Sequence, residues 1–305
     1  MEKINIRFDL TEQQKASRAQ LIDLVLKDPR VQAFQKNHHL SDAFISAHAQ
    51  RFADWSTELT LCVGCPGLHA CRQKQTGFVL DLDMDGYLQP VLKPCAYQAQ
   101  LDQQTAHAKA YLMRDGGQEF LLAEMSQLLN APFEPDYASA LAPLTAWLEN
   151  PTFRGFFLYG PSGVGKTYLA AAVLNHFAKR GETVALVHVP TLAITLKQSF
   201  DAPDHIESML ATIKRAKVVV FDDLGAESPS GWFRDEILLP LLNYRMDHQK
   251  KTWFTSNLTM EGCRSHFRYN LKGDDEALKA NRLMERIEAL SDPLLVRGKN
   301  RRNPG

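Results

Sequence analysis

The 305-residue chain is 45% hydrophobic and 23% charged, with 35 basic against 35 acidic residues, a composition that excludes fibrous and low-complexity classes and has length enough for two domains. No run of 18 or more apolar residues occurs, and the opening MEKINIRFDLTEQQKASRAQ lacks the basic, apolar, small-residue order of a signal peptide, so we expect a cytoplasmic protein without a membrane partner. The balanced charge neither announces nor excludes a nucleic-acid partner.

Residues from about 11 to 59 carry helical spacing. Leu21, Leu24 and Val25 form one stripe, Val31 and Phe34 follow Pro29, and Ser41 is placed to cap a run containing Phe44, Ile45, Phe52 and Trp55. The stretch LCVGCPGLHACRQK then brings Cys62, Cys65 and Cys71 together, and Cys95 follows. In a reducing compartment clustered cysteines are read first as metal ligands. Cys-x2-Cys makes a tight turn whose sulfurs share one cation, and Zn²⁺ completes a tetrahedron with two more ligands. The four cysteines are the first choice, with His69 as an alternate to Cys71.

GFVLDL and GYLQPVL flank the Asp85-Gly86 turn signal and predict a hairpin between these ligands. DLDMDG, 81–86, matches the start of an EF-hand loop, but Pro90 and Leu92 stand where later calcium ligands belong, so we expect no calcium. Beyond Pro94 the pattern predicts a polar helix reaching about Met113. Asp115-Gly116-Gly117 and APFEPDY, with an ambiguous helix EFLLAEMSQLL between them, mark a linker. The expected organisation is an N-terminal domain over 1–114 with a zinc module near 60–98, a linker over 115–136, and a second domain over 137–305.

In that second domain GFFLYG, TVALVHV, KVVVFDD and KTWFTSN alternate with helix-length amphipathic stretches, which predicts an α/β fold with a mainly parallel sheet. GPSGVGKT, comprising Gly160, Pro161, Ser162, Gly163, Val164, Gly165, Lys166 and Thr167, follows a strand and opens a helix. That spacing lets the backbone amides cradle phosphates at a helix N-terminus, with Lys166 reaching the β- and γ-phosphates and Thr167 binding Mg²⁺. In KVVVFDDLGAE an apolar strand ends in Asp222 and Asp223, which suits a carboxylate holding magnesium's water shell. Asn257, ending KTWFTSN, is placed to orient the attacking water or sense the γ-phosphate. On the helix DDEALKANRLMERIEAL, Arg282 and Arg286 lie four apart on one face.

With these motifs in hand, residues 140 to 300 resemble the AAA+ ATPases of the DnaC/DnaI helicase-loader clade, most specifically in FDDLGAE and RLMERI. The resemblance implies an ATP- and Mg²⁺-dependent switch that self-associates side by side, with an arginine finger entering the neighbouring site. Arg286 takes that role by its position, with Arg282 as runner-up. Two departures stand out. The residue after the magnesium Asp is commonly Glu in AAA+ proteins, whereas here it is Asp223, one methylene shorter, so slow hydrolysis is expected, with Glu227 a substitute catalytic carboxylate. The stretch VRGKNRRNPG leaves little room for a helical lid, and Arg297, Arg301 and Arg302 are not assigned as a second sensor. In this clade the interval between the second and third core strands faces single-stranded DNA, which points here to Lys197, Phe200, Lys214, Arg215 and Lys217.

The Cys-x2-Cys-Pro-Gly-Leu and Pro-Cys elements are similar to the N-terminal module of DnaI-type loaders, which grips the hexameric replicative helicase. Transposition helpers of the IstB type share the ATPase core and generally lack such a module. A zinc-domain adaptor with nucleotide as a structural ligand is the third reading.

Overall fold

The computed structural model describes residues 11–130, 135–269 and 273–301. Its contacts divide the chain into two units, Met1–Gln103 and Gln104–Gly305.

Four helices open the first unit: α1 (Glu12–Lys27), α2 (Pro29–Asn37), α3 (Asp42–Ala47) and α4 (Ala49–Thr60). Local chemistry sets their starts. Thr11 and Gln14 form a reciprocal capping box before α1, Asp28 caps α2 ahead of Pro29, and the Ser41 side chain accepts the Phe44 N–H. Val25, Val31, Phe34, Ile45, Phe52 and Trp55 form the buried core of this bundle together with Leu82 and Leu88. The last two come from the predicted hairpin, β1 (Phe78–Asp85) and β2 (Tyr87–Pro94), which pairs antiparallel with Leu82 opposite Pro90. Gly86 makes the turn at φ 72°, a left-handed conformation that glycine adopts without a Cβ clash.

The helix expected to reach Met113 ends sooner. α5 (Ala96–Gln104) gives way to a 3-10 turn, Ala106–Ala110, and a short strand, β3 (Tyr111–Arg114). The stretch expected as a linker also carries structure: a 3-10 turn, Gln118–Leu122, and α6 (Met125–Asn130), with Leu121, Ala123 and Leu128 buried. Its apolar residues pack into the second unit, which is why it does not behave as a free connector. The residues 131–134 of APFEPDY, and Arg302, lie outside the described residues.

The second unit continues with α7 (Pro135–Glu149), β4 (Arg154–Tyr159), α8 (Lys166–Ala178), β5 (Val184–His188), α9 (Val189–Gln198), α10 (Pro203–Arg215) and β6 (Val218–Asp222). A π-helical turn, Phe233–Leu238, leads into α11 (Leu239–Asp247), β7 (Lys251–Ser256), α12 (Met260–Arg268), α13 (Ala277–Leu290) and β8 (Ser291–Leu295). Six strands among the described residues pair in the order β3-β5-β6-β7-β4-β8, and every pairing is parallel. The α/β expectation therefore holds, and parallel strands covered on both faces account for the continuous apolar runs seen in the sequence. One face packs Phe157, Val219, Phe221, Phe254, Leu283 and Ile287; the other packs Leu158, Val173, Phe177, Val218, Val220 and Trp253.

Arg245, fully buried, donates to the carbonyls of Ile213, Ala216 and Lys251 and to the Thr252 hydroxyl. It thereby ties the entry of β6 to that of β7. The carboxyl ends of β4, β7, β6 and β5, consecutive in the sheet apart from chain order, converge at the opposite edge, the usual place for a ligand crevice in an open parallel sheet.

Candidate nucleotide site and cysteine cluster

Between β4 and α8 the glycines of GPSGVGKT adopt positive φ: 146° at Gly160, 82° at Gly163 and 103° at Gly165. A side chain at Gly160 would also meet the Val296 carbonyl carbon and oxygen. The loop can therefore curl only with glycine in these places, and the curl brings it back over the N-terminus of α8. Val164 turns inward and is buried, whereas Ser162, Gly163, Gly165, Lys166 and Thr167 line a cleft of about 910 Å³. Lys166 Nζ donates to the carbonyls of Gly160 and Pro161, 2.8 Å each, and to Asn257 Oδ1 at 2.8 Å.

Asp222, at the end of β6, accepts hydrogen bonds from Thr167 Oγ1 at 2.8 Å and from Thr255 Oγ1 at 2.6 Å. Burial raises its carboxyl above the ordinary range, partly offset by the two hydroxyls, and the nearby Asp223 pushes it further up. Asp223 has left-handed backbone, φ 59°. Its carboxylate accepts from Asn257 Nδ2 at 3.1 Å and lies 3.9 Å from His188 Nε2. A hydroxyl and a carboxylate 2.8 Å apart beside a lysine and a glycine cradle are a donor set suited to a magnesium-bound triphosphate.

The structure thus brings Lys166, Thr167, Asp222, Asp223 and Asn257 together as the sequence predicts. It leaves Glu227 out, which corrects the expectation that this residue stands in for a missing Glu. Gly225, at φ 87°, bends the chain so that Glu227 Oε2 accepts the Gly225 N–H at 2.9 Å. The side chain is buried away from the cleft, with Oε1 3.3 Å from His266 Nε2 on α12. Arg282 is exposed on α13, and Arg286 donates to Asn243 Oδ1 at 2.6 Å. Neither arginine lines the cleft of its own chain. Arg301 does, and its guanidinium lies 3.8 Å from the Tyr137 ring centroid.

Sequence reasoning missed the wall contributed by β3 and the turn after it: Arg114, Asp115, Gly116, Glu119 and Phe120. The signal was the apolar alternation of Tyr111 and Met113 before Asp115-Gly116-Gly117. His188 and Thr191, at the β5–α9 junction, complete that side.

In the first unit Cys62, Cys65, Cys71 and Cys95 line a single cavity of about 190 Å³, together with Gly67, Gly77 and Phe78. His69 is exposed and is not on the wall of this cavity. Gln73 Nε2 donates to Cys62 Sγ at 3.3 Å, and backbone N–H groups of Gly77 and Gln73 hold the Cys71 thiol below its ordinary range. All five cysteines are free thiols. Among the described residues no three His, Cys, Asp or Glu side chains converge as a metal-binding group. The four thiols share a cavity without being drawn to one point in it.

A profile of the IstB-like ATP binding protein family matches residues 137–303. The replicative helicase loader DnaI of Bacillus subtilis is 31% identical over 292 residues, covering 93% of each chain. The replicative helicase loader DnaC of Escherichia coli (strain K12) is 26% identical over 126 residues, 40% of this chain and 51% of that protein. A crystal structure of DnaI superposes with a TM-score of 0.53 at 34% identity, covering 61% of this chain and 98% of the other. A primosome component from Streptococcus pyogenes, solved under a provisional name, superposes with a TM-score of 0.52 at 25% identity over 65% of this chain and 99% of the other.

Proposed function

Because the chain belongs to the IstB-like ATP-binding family, and within it to the DnaI-type replicative helicase loaders, we propose that it is an AAA+ ATPase that loads the replicative helicase onto DNA. The observation that carries this reading is the reach of the DnaI similarity. It covers 93% of both chains and so includes the N-terminal unit, whereas the IstB-like profile begins at residue 137. A transposition helper sharing only the ATPase core accounts for the second half of the molecule and leaves the first half unexplained.

In this reading Lys166, Thr167 and Asp222 hold Mg²⁺-ATP, Asn257 and Asp223 orient the attacking water, and hydrolysis is slow because Asp223 is short. Arg286, or Arg282, enters the site of a neighbouring copy. The pairing of Arg286 with Asn243 holds it on the molecule's own surface until a neighbour arrives. Single-stranded DNA is met by the α9–α10 region, where Phe200 is 57% exposed and lies against Trp232 with ring centroids 4.7 Å apart. Exposed aromatics are suited to stacking on bases.

The N-terminal unit docks on the hexameric helicase. Zn²⁺ would be held by Cys62, Cys65, Cys71 and Cys95, a choice of ligands supported by the cavity those four share and by the absence of His69 from its wall. Such a site would be structural, all four positions being taken by protein. We place the protein in the cytoplasm with its helicase; among the described residues no helix is long and apolar enough to cross a membrane.

The test is reconstitution. The full chain should retain the replicative helicase in a pull-down and deliver it to single-stranded DNA only with ATP and an intact Lys166. Failure to bind the helicase sinks the loader reading, and wild-type loading by Lys166→Ala would favour an adaptor in which nucleotide is a structural ligand.

A further inference from the structure

The wall of the cleft that precedes the IstB-like core is firmly built. β3 extends the sheet beyond β5 with Arg114 in register with Leu186. The next residue is held twice at the end of β5: Asp115 N–H donates to the Leu186 carbonyl at 3.0 Å, and Asp115 Oδ2 accepts the His188 N–H at 2.9 Å. Farther along, Phe120 folds back over Gly116, so closely that a Cβ there would lie 2.6 Å from the ring.

One residue of α8 clamps this strap to the helix that follows the phosphate loop. Asn175, 1% exposed, donates to the carbonyls of Phe120 and Ala123 at 2.7 and 2.9 Å. Its Oδ1 lies 2.9 Å from His107 Nε2 and accepts from Tyr111 OH at 2.7 Å. Buried polar groups satisfied in this way fix a unique arrangement. Arg114 therefore projects from a rigid base.

Arg114 is exposed, lines the cleft, and donates a long 3.3 Å bond to the Gly117 carbonyl. Among the described residues it makes no ion pair, although Asp115 and Glu119 line the same wall. The end of β3 lies two strands from the end of β6, roughly 10 Å at about 4.8 Å per strand. Arg114 therefore faces the phosphate loop across Asp222 and Asp223, since β4, which leads into that loop, lies two strands beyond β6. A planar guanidinium held by one long carbonyl bond is suited to a terminal phosphate.

We propose that Arg114 is a nucleotide-binding residue supplied in cis from outside the ATPase core, and that it contacts the γ-phosphate. The proposal rests on the ATP-site reading above. It makes the strap part of the machinery that distinguishes ATP from ADP.

The experiment measures ATP and ADP affinity of the full chain at low protein concentration, with wild type, Arg114→Ala, Arg114→Gln, Arg114→Lys and Lys166→Ala. Loss of a charge-assisted contact predicts about tenfold or greater weakening for ATP in Arg114→Ala, with ADP affinity unchanged and partial recovery in Arg114→Lys. Arg114→Gln substitutes for the alanine variant if the latter does not fold. Equal weakening for both nucleotides, or no change for either, overturns the proposal while leaving the ATP site standing. Nucleotide binding untouched by Lys166→Ala overturns the ATP-site reading and this one with it.

Discussion

The nucleotide cleft and the cysteine cavity differ in what holds them in shape. In the cleft the polar side chains already satisfy each other: Lys166 with Asn257, Thr167 and Thr255 with Asp222, Asn257 with Asp223. Beneath them lies a sheet packed on both faces. Around the cysteines the loop is held by single bonds, Gln73 to the Glu58 carbonyl, Arg72 to the Val63 carbonyl and Tyr97 OH to the Cys65 carbonyl, and no residue from 60 to 77 belongs to the buried apolar core of the first unit. The cleft is thus a folded site that awaits a ligand. The cysteine loop has no such packed base, and under the zinc proposal the metal's binding free energy would add to the folding free energy of this segment.

Substitutions in the two regions should therefore fail in opposite ways. The largest effect is expected at Cys65→Ser or Cys62→Ser: near-complete loss of bound zinc and of the module's order, read by metal analysis and amide exchange, with ATP affinity within about twofold of wild type since the core is untouched. If zinc is absent from the wild-type protein, the contrast collapses. Lys166→Ala should be the mirror image, weakening ATP binding about 100-fold or more through loss of charged phosphate contacts. Zinc content and thermal stability of the N-terminal unit should stay as they were.

A smaller effect separates binding from chemistry within the cleft. Asn257→Ala should slow hydrolysis by about tenfold to a hundredfold and leave ATP affinity within a few-fold; a large affinity loss instead would make Asn257 a binding residue. The smallest effect is on stability. Since burial raises the Asp222 carboxyl, its protonated form favours the fold. That contribution is complete below the ordinary carboxylate range and is lost as pH rises through the raised folded value. In magnesium-free buffer at pH 7, Asp222→Asn should therefore raise the melting temperature by about 2–4 °C. The gain should vanish as the pH is lowered below the carboxylate range, and a stabilisation that persists in acid would refute the assignment.

The contrast also explains what could be read from the sequence. The phosphate loop and the strand ending in Asp222 were legible because their chemistry is local: glycines at positions requiring positive φ, and apolar runs that only a doubly covered strand tolerates. β3 and β8 were not. Each is a short edge strand, YLMR or the proline-containing SDPLL, and takes its identity from the strand beside it. Glu227 was misplaced for a related reason, since one positive-φ glycine, Gly225, turned the side chain back into the protein. The helical bundle was visible in its stripes and caps, whereas the convergence of four cysteines on one cavity depends on a hairpin closing, which periodicity can suggest but not measure.

One departure from the AAA+ pattern acquires a different meaning from the backbone. Asp223 sits at φ 59°, where aspartate and asparagine are several-fold enriched over other side chains because a short polar group can bond locally. The missing methylene is then the consequence of the corner on which the carboxylate stands. Asp223→Glu, which restores the commoner residue, places a longer side chain on a bend that disfavours it. Restoring the family's pattern at this position should cost stability rather than gain rate, and engineering a faster enzyme would have to reshape the turn before lengthening the side chain.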